Sequence, residues 1–350
     1  MRTPLTHVCH QTSVRPMRTI DWLDGDVVIV DQALLPLEER FVRLHTVDEL
    51  VTAISTLAVR GAMALGVAGA MGIALAALRA REAGTDEDTA IDRAAAALNA
   101  ARPTAVNLGW GIARALAVRH ESADALLVRA LEVRDQDIAA NLEIGRRGAE
   151  LLGGATRLLT HCNAGALAGT EWGTALSAIL QLHAGHGLAM VYACETRPLF
   201  QGSRLTAWEL GRAQVPHRVI VDSASSGLIT SGKVDAVVVG ADRIAANGDT
   251  ANKVGTLAHA LAASRAGIPF IVTAPESTVD GQTATGTGIT IEERDQDEIL
   301  DWRGTRVAAP GSQAYNPAFD ITPADLITAI VTERRTIRTS SGERPEAAMS

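Results

Sequence analysis

Apolar positions along the chain follow a helical rhythm up to about residue 155 and a different rhythm after it. In the first part, apolar residues recur every three or four positions in five successive segments. The pattern predicts helices over 47–59, 62–81, 86–101, 106–119 and 122–152. Before them, two apolar runs in "IDWLDGDVVIVD" (20–31) flank Asp24-Gly25 and predict a β-hairpin. No other strand is needed, so the first half is predicted to be mainly helical.

After residue 155, short aliphatic runs alternate with helical patterns. The five runs are "TRLLT", "LAMVYA", "HRVIVD", "DAVVVG" and "PFIVTA". Continuous Val, Ile and Leu indicate strands that are buried on both faces, and alternation with helices is typical of a parallel sheet. The predicted fold class is therefore α/β, with a mainly helical first part and a parallel sheet flanked by helices in the second.

These rhythms divide the chain into four segments. Residues 17–150 form the predicted helical domain with its small hairpin, and residues 151–335 form the predicted sheet domain. Residues 1–16 lack an apolar core and do not resemble a secretory signal, so we expect a disordered extension or a mis-assigned start before Met17. The polar residues 336–350 predict a flexible tail.

One apolar segment, residues 61–78, must be weighed as a membrane span. Its length reaches the lower end of the roughly 17–25-residue window for a spanning helix. It consists mostly of Ala and Gly, and Gly66, Gly69 and Gly72 recur every three residues, which would let a neighbouring backbone approach one face. We therefore expect a buried helix and no association with a membrane.

Composition and charge narrow the class of partners. Of the 350 residues, 47% are hydrophobic but only 3% aromatic, which disfavours a platform for stacking nucleobases. The formal net charge of −8 argues against affinity for nucleic acid or an anionic membrane surface. Cys9, Cys162 and Cys194 form no CxxC pair, which favours reduced thiols and a cytoplasmic location.

Polar clusters follow each predicted strand at its carboxyl end. The clusters are His161-Cys162-Asn163, Glu195-Thr196-Arg197, Asp222, Gly240-Ala241-Asp242-Arg243 and Pro275-Glu276-Ser277-Thr278. In an open α/β sheet, ligands bind beyond the carboxyl ends of the strands, so these clusters are expected to meet at one edge.

Cys162 and Asp242 are the candidate reactive residues of this edge. A lone cysteine is more often structural than reactive, but Cys162 precedes a helical pattern whose N-terminal dipole would favour the thiolate. A Cys-His-Asn protease is a poor fit, because His161 and Asn163 are its sequence neighbours. Asp242 could have a purely structural role, as a helix N-cap or in an ion pair with Arg243. Alternatively, desolvation at the strand end would raise its pKa and suit proton transfer.

Two segments could hold a phosphate. Asn252-Lys253, after a turn at 247–249, is expected to open a helix whose N–H groups and ammonium would bind an anion. Arg60-Gly61-Ala62 offers a guanidinium and a bare backbone at a helix start. Arg102 and Gln201 are ambiguous from sequence alone.

Several cofactors lack their sequence motifs. There is no GxxxxGK[ST] and no strand-linked GxGxxG, so a nucleotide loop is unsupported. No His, Cys or carboxylate set has the spacing of metal ligands, so no metal is expected.

Seven stretches together resemble the methylthioribose-1-phosphate isomerase family. They occur in the family's order from Met17 to Glu333 and include the specific pair THCNAG and GADR-x3-NGD-x2-NK. The stretches are "RGAMALGVAGA", "RPTAVNL", "LTHCNAGALA", "ETRPLFQGSRLTAWEL", "VVVGADRIAANGDTANKVGT", "PFIVTAPESTVD" and "YNPAFDITPADLI". The superfamily also contains regulatory subunits of a translation-initiation guanine-nucleotide exchange factor and isomerases of related sugar phosphates.

This resemblance implies a helical N-terminal domain, a Rossmann-like C-terminal domain, a homodimer and no cofactor. The implied activity is the aldose–ketose isomerisation of 5-methylthioribose 1-phosphate to 5-methylthioribulose 1-phosphate in methionine salvage. Cys162 and Asp242 would handle protons. The residues implied to bind substrate are Arg60, Gly61, Ala62, Arg102, Gln201, Asn252 and Lys253.

Two departures keep alternatives open. Met63 stands where the family commonly has proline, and Cys194 stands where an acidic residue is usual. The alternatives are an isomerase of 5-deoxyribose 1-phosphate or ribose 1,5-bisphosphate, a non-catalytic regulatory subunit, and a nicotinamide-dependent dehydrogenase, which would need the missing glycine motif.

Overall fold

The computed structural model describes residues 17–103 and 105–345. The predicted extension at 1–16 and the last five residues of the predicted tail lie outside this part of the chain.

The predicted hairpin is confirmed and belongs to a three-stranded antiparallel sheet. Strands β1 (Ile20–Leu23) and β2 (Asp26–Val30) pair around Asp24 and Gly25, whose φ angles are 52° and 90°. A third strand, β3 (Phe41–Leu44), pairs with β2 and was not predicted, because its four residues are too short for a clear pattern.

All five predicted helices of the first half are confirmed, with ends that differ by a few residues. The helices are α1 (Val47–Ser55), α2 (Ala62–Ala83), α3 (Glu87–Ala101), α4 (Val106–Leu116) and α5 (Ala123–Leu152). Helix α1 ends earlier than predicted, and Leu57, just beyond it, has a φ of 62°, which is incompatible with a right-handed helix.

Helix α2 is the centre of this helical part. It is long and apolar enough to cross a membrane, but 83% of its most apolar window is buried inside the protein. Its contact with α4 is a close backbone approach, since a Cβ added to Gly111 would lie 1.8 Å from the carbonyl oxygen of Gly66. The expectation of a buried core helix is therefore confirmed.

The second half is built on a seven-stranded sheet and a smaller four-stranded sheet. Its strands are β4 (Arg157–Thr160), β5 (Met190–Cys194), β6 (His217–Ile220), β7 (Ala236–Val239), β8 (Arg243–Ala245), β9 (Thr250–Lys253), β10 (Phe270–Thr273), β11 (Val279–Asp280), β12 (Asp301–Trp302), β13 (Thr305–Arg306), β14 (Phe319–Thr322), β15 (Ala329–Val331) and β16 (Thr336–Ile337). The larger sheet has the order β16-β15-β10-β7-β4-β5-β6, with all neighbours parallel except β15 and β16. The five predicted strands and their parallel pairing are confirmed.

Helices cover both faces of this sheet. They are α6 (Ala175–His186), α7 (Ala207–Arg212), α8 (Ser225–Thr230) and α9 (Thr256–Ala266). The short α10 (Asp297–Leu300) packs against β12 instead. One apolar layer joins α6 and the end of α5 to the sheet, and a second joins α8 and α9 to it. Because α5 packs on both α2 and α6, it links the two halves, and the predicted boundary at residue 150 stays a prediction.

Two expectations about local structure are wrong. Asn252 and Lys253 do not open a helix but end strand β9, because Gly255, with a φ of 107°, separates them from α9. The predicted flexible tail begins too early, since Thr336–Ile337 form strand β16 and Ile337 is buried in the core. One apolar residue in a polar stretch gave no period to detect.

Asp137 on α5 provides a test of stability against pH. Its carboxylate accepts the Thr170 N–H at 2.9 Å, and burial raises its pKa to about 6 from the ordinary 3.8. Since the folded-state pKa lies above the unfolded one, the charged form opposes folding, and stability falls as pH rises from about 4 to about 6. We expect Asp137→Asn to stabilise the protein at pH 8 by up to about 3 kcal/mol, two pK units at about 1.4 kcal/mol each.

Thermal denaturation of both proteins at pH 5 and pH 8 measures this effect. The gain in Tm should be clearly larger at pH 8. Asp135→Asn, an exposed position on the same helix, serves as the control. An equal gain at both pH values would show that the Asp137 carboxyl does not titrate in this window.

Candidate active site

The carboxyl ends of β4, β5, β7 and β10 meet the start of α2 around one cavity of about 120 Å³. All nine residues singled out from the sequence line it. They are Arg60, Gly61, Ala62, Arg102, Cys162, Gln201, Asp242, Asn252 and Lys253. Asp222 and Glu195, from the other predicted clusters, do not line it; Asp222 instead accepts the Thr196 and Arg197 N–H groups at 2.8 Å each.

The loop that carries Cys162 is held in a strained conformation. Cys162 has a φ of 61° and Thr196, which contacts it, has a φ of 65°, both rare for residues with a side chain. The Cys162 N–H donates to Thr196 Oγ1 at 2.8 Å, and the Thr206 hydroxyl donates to the Cys162 carbonyl at 2.6 Å. Strain that is fixed by specific hydrogen bonds clusters at functional sites.

The protonation expected for Cys162 from sequence is wrong. The α-helix after it begins only at Ala175, so no helix dipole acts directly on the sulfur. Burial raises the pKa of the Cys162 thiol, although the positive charges of Arg60 and Lys253 oppose this shift. At neutral pH the side chain is a thiol that can donate a proton, and not a thiolate.

Asp242 follows β7 and lines the cavity. Both structural interpretations fail: Asp242 precedes strand β8 and not a helix, and Arg243 lies 3.8 Å from Asp280 instead. Asp242 is exposed to the cavity, and the protein atoms around the cavity desolvate its carboxyl and raise its pKa, while the charges of Lys253, Arg60 and Arg102 moderate the increase. Within residues 17–103 and 105–345, no side chain hydrogen-bonds this carboxylate, which leaves it free to meet a ligand.

Arg60 is positioned by a relay that sequence reasoning missed. Its guanidinium donates to the Asn163 side-chain oxygen and to the Asn163 carbonyl, both at 3.1 Å. The Asn163 amide in turn donates to Glu209 at 2.8 Å, and Glu209 also accepts the Ala166 N–H at 2.7 Å. Burial raises the pKa of Glu209. Glu209 lies in an ordinary helical pattern, so no sequence signal separated it from surface glutamates.

The start of α2 and Arg60 line the cavity together and could bind an anion. Gly61 is the N-cap residue with a φ of 95°, and no side chain caps the helix. The first N–H groups of a helix have no partner inside the helix, and here residues 61–63 line the cavity. A Cβ on Gly61 would lie 2.4 Å from the Ala168 Cα, so only glycine allows this approach.

Lys253, Asn252 and Gln201 complete the polar wall. Lys253 Nζ donates to the Ala318 carbonyl at 2.7 Å, and the Asn252 amide donates to Thr256 Oγ1 at 2.9 Å. Gln201 is 8% exposed, and its Oε1 has no hydrogen-bond partner in the part of the chain that the structure describes. An orphaned buried acceptor that lines a cavity suits a hydroxyl group of a ligand.

The helix that follows Lys253 is not free to bind an anion. The Asp320 carboxylate already accepts the N–H groups of Gly255 at 2.7 Å and Leu257 at 3.2 Å. The expectation that the N–H groups of this helix bind a phosphate is therefore wrong. The Lys253 side chain, by contrast, does line the cavity.

Comparison with known proteins places the whole of this framework in one family. The model of the Initiation factor 2 subunit family matches residues 58–338. A Methylthioribose-1-phosphate isomerase of Gloeobacter violaceus is 47% identical over 334 residues, which cover 94% of each chain.

Two further relatives extend the comparison. A probable bifunctional methylthioribose-1-phosphate isomerase/methylthioribulose-1-phosphate dehydratase of Nocardia farcinica is 46% identical over 95% of this chain, which spans only 62% of that protein's length. The crystal structure of 5-methylthioribose 1-phosphate isomerase from Pyrococcus horikoshii has a TM-score of 0.86 and 38% identity, and covers 92% of both chains.

Proposed function

Since this chain belongs to the Initiation factor 2 subunit family and is 47% identical to a methylthioribose-1-phosphate isomerase over 94% of its length, we propose that it is a methylthioribose-1-phosphate isomerase. It converts 5-methylthioribose 1-phosphate to 5-methylthioribulose 1-phosphate in methionine salvage. The observation that carries this proposal is one cavity that is lined by the Asp242 carboxyl, the half-buried Cys162 thiol and the positive charges of Arg60 and Lys253.

The anion site suits the phosphate on C1 of the substrate. The N–H groups at the start of α2, together with Arg60, Arg102 and Lys253, supply donors and positive charge in the cavity that Asp242 also lines. Gln201 and Asn252 offer amide groups to the sugar hydroxyls.

Substitution of Gly61 tests this phosphate site. Gly61→Ala places a Cβ against Ala168 and displaces the start of α2, so we expect at least a tenfold increase in KM and a lower Tm. Gly84→Ala is the matched control, since Gly84 also has a positive φ, of 65°, but a Cβ there meets nothing within 4 Å. Both variants pay a conformational cost of about 1–2 kcal/mol, but only the first should change KM.

The charges of the cavity favour a substrate without a second phosphate. Besides the three cations of the anion site, the described lining residues include Arg294, whose guanidinium is already paired with Glu298 and Glu292. Apolar neighbours such as Leu57, Leu199 and Phe319 suit the thioether at C5. Ribose 1,5-bisphosphate would leave its second phosphate uncompensated.

Asp242 is assigned the proton transfers. The phosphate on C1 blocks ordinary ring opening to a free aldehyde. The bond between C1 and the ring oxygen must therefore break as the ring oxygen receives a proton. A raised pKa lets the Asp242 carboxyl give this proton and then, as the carboxylate, accept the proton of the C2 hydroxyl when the ketone forms. The hydrogen on C2 moves to C1 as a hydride or through an enolate.

Cys162 is assigned a supporting role as a neutral thiol. Its S–H can donate to oxygen atoms that become negative during the reaction, because the raised pKa keeps the thiol protonated. The positive φ of Cys162 aims the side chain into the cavity from the end of β4.

Comparing three sugar phosphates tests the substrate. We expect kcat/KM to be highest for 5-methylthioribose 1-phosphate, lower for 5-deoxyribose 1-phosphate and lowest for ribose 1,5-bisphosphate. Equal or better turnover of the bisphosphate would reject the assignment. In deuterated water, deuterium at C1 of the product would indicate the enolate, and its absence would favour the hydride shift.

Assembly and location complete the proposal. The family resemblance supports a cytoplasmic homodimer that needs no cofactor for this reaction. The alternative hypothesis, suggested by the family's name, is that the protein is a non-catalytic regulatory subunit. Such a subunit would not need both the Cys162 thiol and the Asp242 carboxyl. Light scattering gives the oligomeric state, and a stable complex with translation factors in an inactive protein would favour the alternative.

A further inference from the structure

Three side chains from three separate elements meet behind the Cys162 loop. His161 follows β4, Cys194 ends β5, and His259 lies on α9; their exposed fractions are 1%, 0% and 1%. One potential ligand atom of each lies within 4.8 Å of the others. Cys194 Sγ is 3.6 Å from His259 Nε2, close to the separation of about 3.6 Å between sulfur and nitrogen ligands on a tetrahedral zinc ion.

The hydrogen bond of His161 fixes its tautomer. Its Nε2 lies 2.9 Å from the Val254 carbonyl oxygen, which can only accept, so Nε2 carries the hydrogen. The lone pair is therefore on Nδ1. The Thr196 Oγ1 atom lies 3.5 Å from this Nδ1, but its single hydrogen is donated to the closer Cys194 carbonyl at 3.0 Å.

His259 is fixed in the complementary way. The Ser225 hydroxyl donates to the Asp222 carbonyl at 2.7 Å, so its oxygen accepts from His259 Nδ1 at 2.9 Å. The lone pair of His259 is consequently on Nε2, which faces Cys194. Metal-binding histidines typically donate their other ring N–H to an oxygen in this manner.

We propose that His161 Nδ1, Cys194 Sγ and His259 Nε2 form a binding site for a thiophilic divalent metal ion, of which Zn²⁺ is the best fit. His259 Nε2 lies 3.6 Å from the Cys194 thiol, and a potential ligand atom of His161 lies within 4.8 Å of both residues, while the single hydrogen of the thiol can satisfy only one acceptor. A metal ion satisfies all three atoms at once. Binding forms one metal–sulfur and two metal–nitrogen bonds, and the Cys194 proton is released to solvent.

Charge favours a divalent ion over a monovalent one. Asp222 Oδ1 lies 3.9 Å from His161 Nδ1, so its carboxylate stands beside the thiolate that metal binding creates. The two negative charges balance an ion of charge +2. Burial lowers the pKa of both histidines, which keeps them neutral as ligands require.

This site was expected to be absent on the basis of sequence. His161, Cys194 and His259 are 33 and 65 positions apart and match no ligand spacing, so only the fold brings them together. The site does not line the substrate cavity through Cys194 or His259, and we infer a structural ion that ties β4, β5 and α9 together behind the catalytic loop.

Titration with Co²⁺ tests the site in the full-length, untagged protein. After dialysis against a chelator, we expect one Co²⁺ per chain and a sulfur-to-cobalt charge-transfer band in the near ultraviolet. Cys194→Ser should abolish the band, and His259→Asn should weaken binding by more than the roughly 10–100-fold cost of losing an outer-shell partner. Zn²⁺ should raise the Tm of the wild type but not of these variants.

Cys9→Ser is the essential control, because His7, Cys9 and His10 offer a second set of ligands near the N-terminus. The band should survive in Cys9→Ser. If it disappears there, or persists in Cys194→Ser, the proposed site is wrong. Where the Cys194 and His259 variants fail to fold, X-ray absorption of the Zn²⁺-loaded Cys9→Ser protein decides: one sulfur and at least two imidazole nitrogens support the site, and coordination without sulfur or no bound zinc overturns it.

Discussion

Replacing Asp242 by Asn is expected to lower kcat for 5-methylthioribose 1-phosphate by about 10²–10⁴-fold, the usual contribution of a positioned acid or base. Asn keeps the size and polarity of the side chain but can neither give nor accept the proton. KM should change only a few-fold, because Arg60, Arg102, Lys253 and the start of α2 still bind the phosphate. Steady-state kinetics of the purified variant measure both values.

The control is Asp325→Asn, an exposed position outside the cavity, which should retain wild-type kinetics. Circular dichroism and Tm establish that the Asp242 variant is folded. If kcat of the folded Asp242→Asn protein stays within a few-fold of the wild type, Asp242 does not carry the proton transfers.

Replacing Cys162 is expected to have the second largest effect, a loss of about 10²-fold in kcat. Cys162→Ser places a hydroxyl where the thiol was, but the proton of the hydroxyl is much less acidic than that of a thiol. Cys162→Gly removes the group altogether and relieves the strain of the positive φ, so its Tm should equal or exceed that of the wild type. Activity and stability would then move in opposite directions.

Measuring kcat and Tm of both variants separates chemistry from folding. Cys9→Ser provides the matched loss of a thiol, in the segment before Met17, and should leave kcat unchanged. Near-normal kcat in Cys162→Gly would mean that the thiol only fills space beside Asp242.

The overall architecture was predictable because each half of the chain has a strong and unbroken period. The five helices of the first half and the five parallel strands of the second are confirmed, since long apolar patterns leave few alternatives. Short elements escaped, such as β3 with its four residues and β16 with one buried isoleucine, because they contain less than one full repeat of any pattern.

The site was partly predictable for a different reason. Parallel strands bring their carboxyl ends to one edge, so Cys162 and Asp242 were expected together from topology alone. The supporting contacts were not visible in sequence: Glu209 acts on Arg60 through Asn163, and Asp320 occupies the N–H groups at the start of α9. Such contacts join residues far apart along the chain and depend on side-chain geometry.

We propose that the protein uses Asp242 and Cys162 to isomerise a sugar 1-phosphate that is bound at the start of α2. The most direct test is to incubate 5-methylthioribose 1-phosphate with the wild type and with Asp242→Asn and to follow the carbon signals by nuclear magnetic resonance. We expect the wild type to produce the C2 ketone signal of 5-methylthioribulose 1-phosphate, and the folded variant to produce at most a trace of this signal. A folded wild type that leaves the substrate unchanged, or equal rates in the two proteins, would contradict this proposal.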